Sequence, residues 1–145
     1  MSEKGQNTNL AAEYHVLSML YRIGAEAYLT LGNKKSVDIV VKRASDMITI
    51  DVKGLKGSSC FPGDNWTRES SNHFLVFVSF IGRIGDPQCV PEVYVVPSDE
   101  LKNARPELDG KSVVYVNPKG NRRVVELSRL RKLASRYRDK WDYFK

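Results

Sequence analysis

The sequence predicts a single mixed α/β domain, and three observations support this fold class. The first is a helical pattern near the N-terminus, over about 10–23. The second is a set of short strand-like runs, the most apolar of which is HFLVFVSFIG at 73–82, as expected of a central buried strand. The third is their order along 145 residues: a helix, three strands, a long connection, the buried strand, then further strands and helices.

The first helix is expected to begin after Thr8 or Asn9, either of which can cap it, and to end at Gly24. Residues 1–7 are polar and are expected to form a disordered tail, which leaves 8–145 as one domain. The N-terminal segment lacks the plan of a secretory signal, and no apolar run approaches the roughly 18 residues of a membrane span. We therefore expect no membrane association and a cytoplasmic protein.

Three strands follow the helix: AEAYLTLG, then a hairpin of 36–43 and 47–53. The stretch 54–71 is rich in Gly, Ser, Pro and Asn, so it is expected to be a long loop with one short helix near NWTRESS. The two cysteines, Cys60 and Cys89, form no CxxC motif and have no companion histidines, which argues against a zinc site or a disulfide framework.

The second half of the chain predicts a strand that runs into a helix capped by Ser98, and then edge strands or irregular segments around the turn NPKG. Ser128 is expected to cap a basic helix that reaches about Arg138. Trp141 and Phe144 are expected to pack back onto the domain.

The net charge of +6 is concentrated at the C-terminal end, where residues 111–145 hold 11 Lys or Arg against 3 Asp or Glu. Such an asymmetry is typical of proteins that bind a polyanion, with phosphate the obvious candidate, although a solvated helix face explains the segment equally well. Candidate phosphate-contacting residues are Lys56, Ser58, Arg122, Arg123, Arg129, Lys132 and Arg136. Contacts of this kind supply affinity rather than sequence choice.

The hairpin carries three polar residues that a purely structural hairpin does not require. If Ala44 and Ser45 form a two-residue turn, Asp38 faces Asp51 with Cβ atoms about 5 Å apart, and Lys53 projects from the same side. Two opposed carboxylates destabilise a hairpin, whereas a divalent cation held by both removes the conflict. The backbone carbonyl of Val52 is a natural further ligand. The alternative is a surface hairpin with an Asp–Lys pair and one incidental carboxylate.

Glu13 adds a third carboxylate. Helical geometry places it within the apolar arc of the first helix, between Leu10, Leu17 and Leu20, where an unpaired charge is costly. The alternative is that Glu13 caps the first turn, but with Asn9 as N-cap the capping-box position is Ala12. We therefore expect Glu13 to be paired, to bind a metal or to face a water-filled cleft.

Glu13 on a first helix, Asp38 on the second strand and IDVK at 50–53 on the third strand resemble the PD-(D/E)xK nuclease superfamily. This superfamily includes restriction endonucleases, Holliday-junction resolvases and tRNA-splicing endonuclease-like domains. The resemblance covers about 8–80 and implies a restriction-endonuclease-like mixed sheet, in which the buried strand lies beside the third strand after a helical crossover. Ser36-Val37 stands where the motif name has proline, and Asp51 replaces the commoner glutamate.

The resemblance implies a metal-dependent DNA endonuclease. Asp38, Asp51 and the Val52 carbonyl would hold Mg²⁺, with Mn²⁺ as a substitute, Lys53 would help to activate water, and Glu13 would act through water or a second metal. Many members are homodimers, because cutting both strands takes two sites, but no dimer face is evident in the sequence. The alternative is a catalytically weak or inactive nucleic-acid-binding or regulatory module of the same fold; a third class is a pure protein-interaction domain.

Overall fold

The computed structural model describes residues 3–30, 37–62, 72–102, 114–117 and 122–145, and within these ranges it leaves undescribed the side chains at 3–4, 62, 102, 114–117 and 122–123. The helices are α1 (Glu3–Arg22), α2 (Ser98–Lys102) and α3 (Leu127–Leu133), followed by short 3-10 helices at Ser135–Tyr137 and Trp141–Phe144. The strands are β1 (Glu26–Leu29), β2 (Ile39–Lys42), β3 (Met47–Leu55), β4 (Cys60–Pro62), β5 (His73–Ser79), β6 (Glu92–Pro97), β7 (Val114–Asn117) and β8 (Arg122–Glu126).

The main sheet has five strands in the order β1-β2-β3-β5-β6. Its neighbours pair antiparallel except for β3 and β5, which run parallel from Thr49↔His73 to Leu55↔Ser79. Every residue of β5 is buried, as its continuous apolar run predicts. A second, antiparallel sheet has the order β4-β8-β7. The predicted mixed α/β fold class, with the buried strand beside the third strand, is confirmed.

The main sheet is covered on both faces. Helix α1 packs on one face through Ala12, Val16 and Leu20, which contact the Ile, Val and Phe side chains of β2, β3 and β5. The second core contains side chains from β4, β5, β6, β8, α2, α3 and the first 3-10 helix. Among the described residues, no helix combines the length and apolarity needed to cross a bilayer.

Helix α1 ends where the sequence predicts. Gly24 has φ of 83°, and the backbone N–H groups of Gly24 and Ala25 donate to the carbonyls of Tyr21 and Leu20, which closes the last turn. The start differs from the prediction, because the helix begins at Glu3 and includes residues assigned to the polar tail. The buried arc is also narrower than predicted, since Leu10 is 44% exposed.

The hairpin of β2 and β3 has the predicted register. The pairs run from Ile39↔Ile50 to Lys42↔Met47, and the N–H of Arg43 donates to the Asp46 carbonyl across the two-residue turn. Arg43 also bonds both carboxylate oxygens of Asp46, at 2.7 and 2.6 Å. The turn chemistry and the alternating pattern therefore determined the pairing together.

The later elements match the prediction in type and differ in extent. Strands β7 and β8 pair antiparallel on either side of NPKG, and α2 begins at Ser98. The NPKG turn itself lies outside the described residues, as do Trp66 and the NWTRESS segment.

The C-terminal segment corrects the prediction of one long helix. Helix α3 begins after Glu126 with no side-chain cap, so Ser128 does not cap it, and it ends at Leu133. The chain must turn after this point to bury Tyr137, Trp141 and Phe144. Asp139 adopts a left-handed backbone conformation, and its N–H donates to the Val93 carbonyl. The predicted packing of Trp141 and Phe144 onto the domain is confirmed.

Candidate functional site

The candidate site lies where β2 begins and β3 continues past it. The described ladder ends at Ile39↔Ile50, and the N–H of Asp38 donates to the carbonyl of Ile50 at 2.8 Å. The predicted direct pairing of Asp38 with Asp51 lies one step beyond the regular ladder, which has the predicted register and stops at Ile39↔Ile50, and the N–H of Asp38 donates to the Ile50 carbonyl instead.

The Asp38 carboxylate bonds the backbone beyond the end of this ladder. Its Oδ2 accepts a hydrogen bond from the N–H of Val52 at 2.7 Å. In a strand, the N–H and C=O of one residue point to the same side, so the Val52 carbonyl faces the same gap as Asp38. A carboxylate oxygen and a backbone carbonyl are thus directed to one space at the end of β2.

Asp51 and Lys53 form an ion pair on β3. The Lys53 ammonium lies 3.2 Å from Oδ2 of Asp51, and the Asp51 side chain is 4% exposed. Despite that proximity, Oδ2 accepts no hydrogen bond from the described residues. A buried carboxylate oxygen in this state is costly, which makes it a candidate ligand for a cation.

Glu13 is brought to the same place by the close approach of α1 to β3. A Cβ on Gly54 would lie 3.0 Å from the Thr8 carbonyl oxygen and 3.1 Å from the Cβ of Ala12, so only glycine fits there without displacement. The next residue of α1, Glu13, is half-buried and hydrogen-bonds the Asp38 carboxyl.

The three acids interact electrostatically. Burial, the hydrogen bond to Asp38 and the negative charges of Asp38 and Asp51 raise the pKa of Glu13 to about 7. Burial raises the pKa of Asp51 to about 7 as well, with Asp38 adding to the effect and the Lys53 ammonium opposing it. The cluster therefore carries more negative charge than one ammonium neutralises. Glu13, Asp38, Asp51 and Lys53 therefore lie close enough to influence one another electrostatically.

The oxygen atoms of this cluster meet part of what a divalent cation requires. Among the described residues, no group of three Asp, Glu, His or Cys side chains comes together in a form that holds a metal by itself. The available oxygen ligands are the carboxyl groups of Glu13 and Asp38, the Asp51 oxygen that accepts no hydrogen bond from the described residues, and the nearby Val52 carbonyl. Oxygen ligands of this kind suit Mg²⁺, which keeps several waters.

The predicted phosphate-contacting residues fall into two groups. Lys56 and Ser58 are exposed just beyond β3. The N–H of Leu127 donates to the Ser59 carbonyl at 3.0 Å, which attaches the start of α3 six residues after Lys53. Six residues span at most about 20 Å, so the basic helix begins within about that distance of Lys53.

Among the basic residues on and after α3, ion pairing is common. Arg129 lies 3.6 Å from Glu126. Arg136 lies 3.8 Å from Glu100 and stacks over the Tyr137 ring. Lys132 is exposed. Arg122 and Arg123 belong to β8, and their side chains lie outside the described residues.

Sequence reasoning missed a second buried acid, Glu92. Arg131 donates to both of its carboxylate oxygens at 2.9 Å, and the Tyr94 hydroxyl donates to it at 2.6 Å. These partners lower the pKa of Glu92. A glutamate that opens the apolar run EVYVV is the signal that could have identified it. The importance of Gly54 was also missed, although it follows the acidic motif directly.

Comparisons with known proteins add a likeness to a solved structure. No family model matches the chain, and no curated protein sequence matches it. The structure of a bacterial homing endonuclease, I-Ssp6803I, is similar to this chain with a TM-score of 0.46 and 19% identity, over 68% of this chain and 67% of that chain.

Proposed function

We propose that this protein is a metal-dependent phosphodiesterase that cleaves the backbone of DNA. One observation carries the proposal: the carboxyl groups of Glu13, Asp38 and Asp51 converge with the Lys53 ammonium beside a backbone carbonyl. Three neighbouring acids, of which Asp51 is buried, cost stability, and sites of this kind are typical of catalysis.

Asp38, Asp51 and the Val52 carbonyl would hold the cation, Mg²⁺ or Mn²⁺. When bound, the cation would supply charge stabilisation at the scissile phosphate and a water of lowered pKa.

The residues around this position have separate tasks. Lys53 donates a hydrogen bond to a phosphate oxygen or to the attacking water. Glu13 has a pKa near neutrality, so it is suited to accept a proton from that water. The main-chain N–H of Val52 holds the Asp38 carboxylate in place. The resemblance to PD-(D/E)xK nucleases is consistent with each of these roles.

DNA is the proposed substrate because the chain has a net charge of +6 with the excess at its C-terminal end. Lys56 and Ser58, next to the acidic cluster, and Arg129, Lys132 and Arg136, on and after α3, are proposed to contact phosphates on either side of the cleaved bond, together with Arg122 and Arg123.

The second candidate is a nucleic-acid-binding module with a weak or inactive site, which the shorter Asp51 side chain favours.

Cleavage of supercoiled, linear and branched DNA in the presence of Mg²⁺ or Mn²⁺ tests the proposal. Asp51→Asn and Lys53→Ala are expected to reduce the rate by about 10³-fold or more while DNA affinity stays within about 3-fold, because both groups act on the reacting phosphate.

Matched controls are Asp46→Asn at the hairpin turn and Lys42→Ala at the end of β2, both of which are expected to cleave at the wild-type rate. Cleavage that survives both site substitutions would contradict the proposal. Salt-dependent DNA binding by a wild-type protein that never cleaves would favour the binding module, and absence of such binding would favour a protein-interaction domain.

A further inference from the structure

Helix α1 has a second apolar face that the described residues leave largely exposed, with only Leu17 packed partly against the main core. Its buried face contains Ala12, Val16 and Leu20, whereas Leu10 and Tyr14 on the opposite side are 44% and 58% exposed. At 100° per residue, Leu10, Tyr14, Leu17 and Tyr21 fall within about 60° of one another. Tyr28, on the adjacent edge strand β1, is also exposed. We call these five residues the tyrosine stripe.

Two of the three tyrosines of the stripe have hydroxyls that are already hydrogen-bonded within the domain. The Tyr21 hydroxyl donates to the Ala27 carbonyl at 2.9 Å, and the Tyr28 hydroxyl donates to Glu26 at 2.7 Å. Covering these two rings would therefore leave their polar ends satisfied, which removes the main cost of burying tyrosine. A helix that is apolar on opposite sides is typically covered on both.

The stripe does not fit nucleic acid. From Gly5 to the end of α1, the helix holds a single Lys or Arg, Arg22 at its last position. A surface that binds a phosphate backbone needs several such residues, and the basic excess of this chain lies in residues 111–145 instead. The composition of the stripe, with three tyrosines and two leucines, is that of the centre of a protein interface.

We propose that the tyrosine stripe pairs with the same stripe of a second copy of this chain, in a two-fold symmetric dimer with antiparallel α1 helices. A two-fold axis between Tyr14 and Leu17 places Leu10 opposite Tyr21 of the second copy, and Tyr14 opposite its Leu17. Each tyrosine on the helix then meets a leucine, so the surface is complementary to itself, as an isologous interface requires.

The exposed apolar area of the tyrosine stripe is consistent with a second copy of the chain as its partner. Three half-exposed tyrosines and Leu10 leave about 300–400 Å² of apolar surface, the size of the largest patch on a typical monomer, and patches of that size are often functional. One partner in a stable interface contributes about 800 Å², so the stripe would form the apolar centre and neighbouring polar residues would complete the rim. Glu13 immediately precedes Tyr14, so the dimer would place each candidate site beside the interface.

The mass of the full chain in solution, measured by light scattering or sedimentation at several concentrations, tests the dimer. The wild type is expected to have twice the 16.4 kDa of one chain. Tyr14→Glu is expected to weaken the dimer by about 100-fold or more, because it buries two unpaired carboxylates at the centre. Met47→Glu, a charge at an equally exposed apolar position outside the stripe, is the control and is expected to stay dimeric.

The register has its own test. Leu10→Lys and Tyr21→Glu are each expected to be monomeric alone and to form a dimer when mixed, because only the mixed pair brings opposite charges together. Thermal unfolding verifies that each variant is folded. A monomeric wild type, or a dimer that Tyr14→Glu leaves intact, would overturn the proposal; a mixture that stays monomeric would overturn the antiparallel register. None of these results depends on DNA cleavage.

Discussion

Asp51 and Glu92 are two acids of one domain with nearly equal burial and opposite electrostatics. Their side chains are 4% and 7% exposed. Glu92 accepts two hydrogen bonds from Arg131 and one from Tyr94, which lower its pKa. Asp51 has one ammonium at 3.2 Å, an oxygen that accepts no hydrogen bond from the described residues and two further carboxyls nearby, and its pKa is raised to about 7.

The difference shows which cluster the fold needs and which it tolerates. The Glu92 cluster attaches α3 to β6 with complementary charges, so it stabilises the domain. The acidic cluster around Asp51 opposes folding unless something positive binds there. Local conflict of this kind, in a domain that satisfies Glu92 so fully, is a reason to assign function to Asp51.

Removal of Arg131 should have the largest effect on stability. Arg131→Ala leaves the buried Glu92 carboxylate with the Tyr94 hydroxyl and the more distant charge of Arg138. It is expected to lower the free energy of unfolding by about 2 kcal/mol, less than for a fully buried pair because Arg131 is half exposed. Chemical denaturation at pH 7 measures this change. Lys132→Ala, the exposed neighbour, should change it by less than about 0.5 kcal/mol; equal effects of the two variants would show that the Glu92 cluster is not stabilising.

A Cβ on Gly54 should affect the acidic cluster more than the Glu92 cluster. Gly54→Ala is expected to displace α1 from β3, to lower the free energy of unfolding by about 1–2 kcal/mol and to reduce cleavage, because Glu13 moves with the helix. Thermal unfolding and the cleavage rate measure the two effects. Gly57→Ala, which meets open space, should change neither. Full activity in Gly54→Ala would show that the close approach of α1 is not needed.

The pH dependence of stability, a change of conditions rather than of residues, should have opposite signs for the two clusters. Asp51 and Glu13 have folded pKa values of about 7, above their ordinary values of 3.8 and 4.5. The folded state therefore binds more protons than the unfolded state between those limits, and the stability that the protonated groups contribute is lost as the pH rises from about 4 to about 7. Glu92 has a lowered pKa, so its contribution is present above its ordinary value and is lost as the pH falls.

Unfolding measurements in EDTA across this pH range give the slope of the free energy of unfolding against pH. Asp51→Asn is expected to flatten the decline toward pH 7, because it removes one of the two titrating carboxyls, and Asp46→Asn is expected to leave the decline in place. A profile that Asp51→Asn does not change would mean that Asp51 is not protonated in the folded protein near neutral pH.

Much of the fold followed from local pattern. The alternation of β2 and β3 and the two-residue turn predicted a register that the structure contains, and Gly24 ended α1 through its left-handed conformation. The C-terminal helix was predicted too long, because its pattern is continuous through Tyr137 whereas packing of the aromatic residues on the sheet turns the chain at Ala134.

The sequence indicated which residues form the candidate site but not how they are arranged. Glu13, Asp38, Asp51 and Lys53 stood out because their residue types conflict with apolar surroundings. The contact between the Val52 N–H and Asp38 could not be predicted, since it arises where the ladder stops, and a ladder's end depends on neighbouring strands rather than on the hairpin's own pattern.

The sequence by itself determined the order of the elements, the hairpin register and the four polar residues of the candidate site, because periodicity and turn chemistry act over a few neighbouring residues. Only the tertiary structure decided that one Asp51 oxygen accepts no hydrogen bond from the described residues whereas Glu92 accepts three, and that one side of α1 is largely exposed. Burial and charge pairing join residues such as Glu92 and Arg131 that lie far apart in the chain, and no local pattern encodes which of them meet.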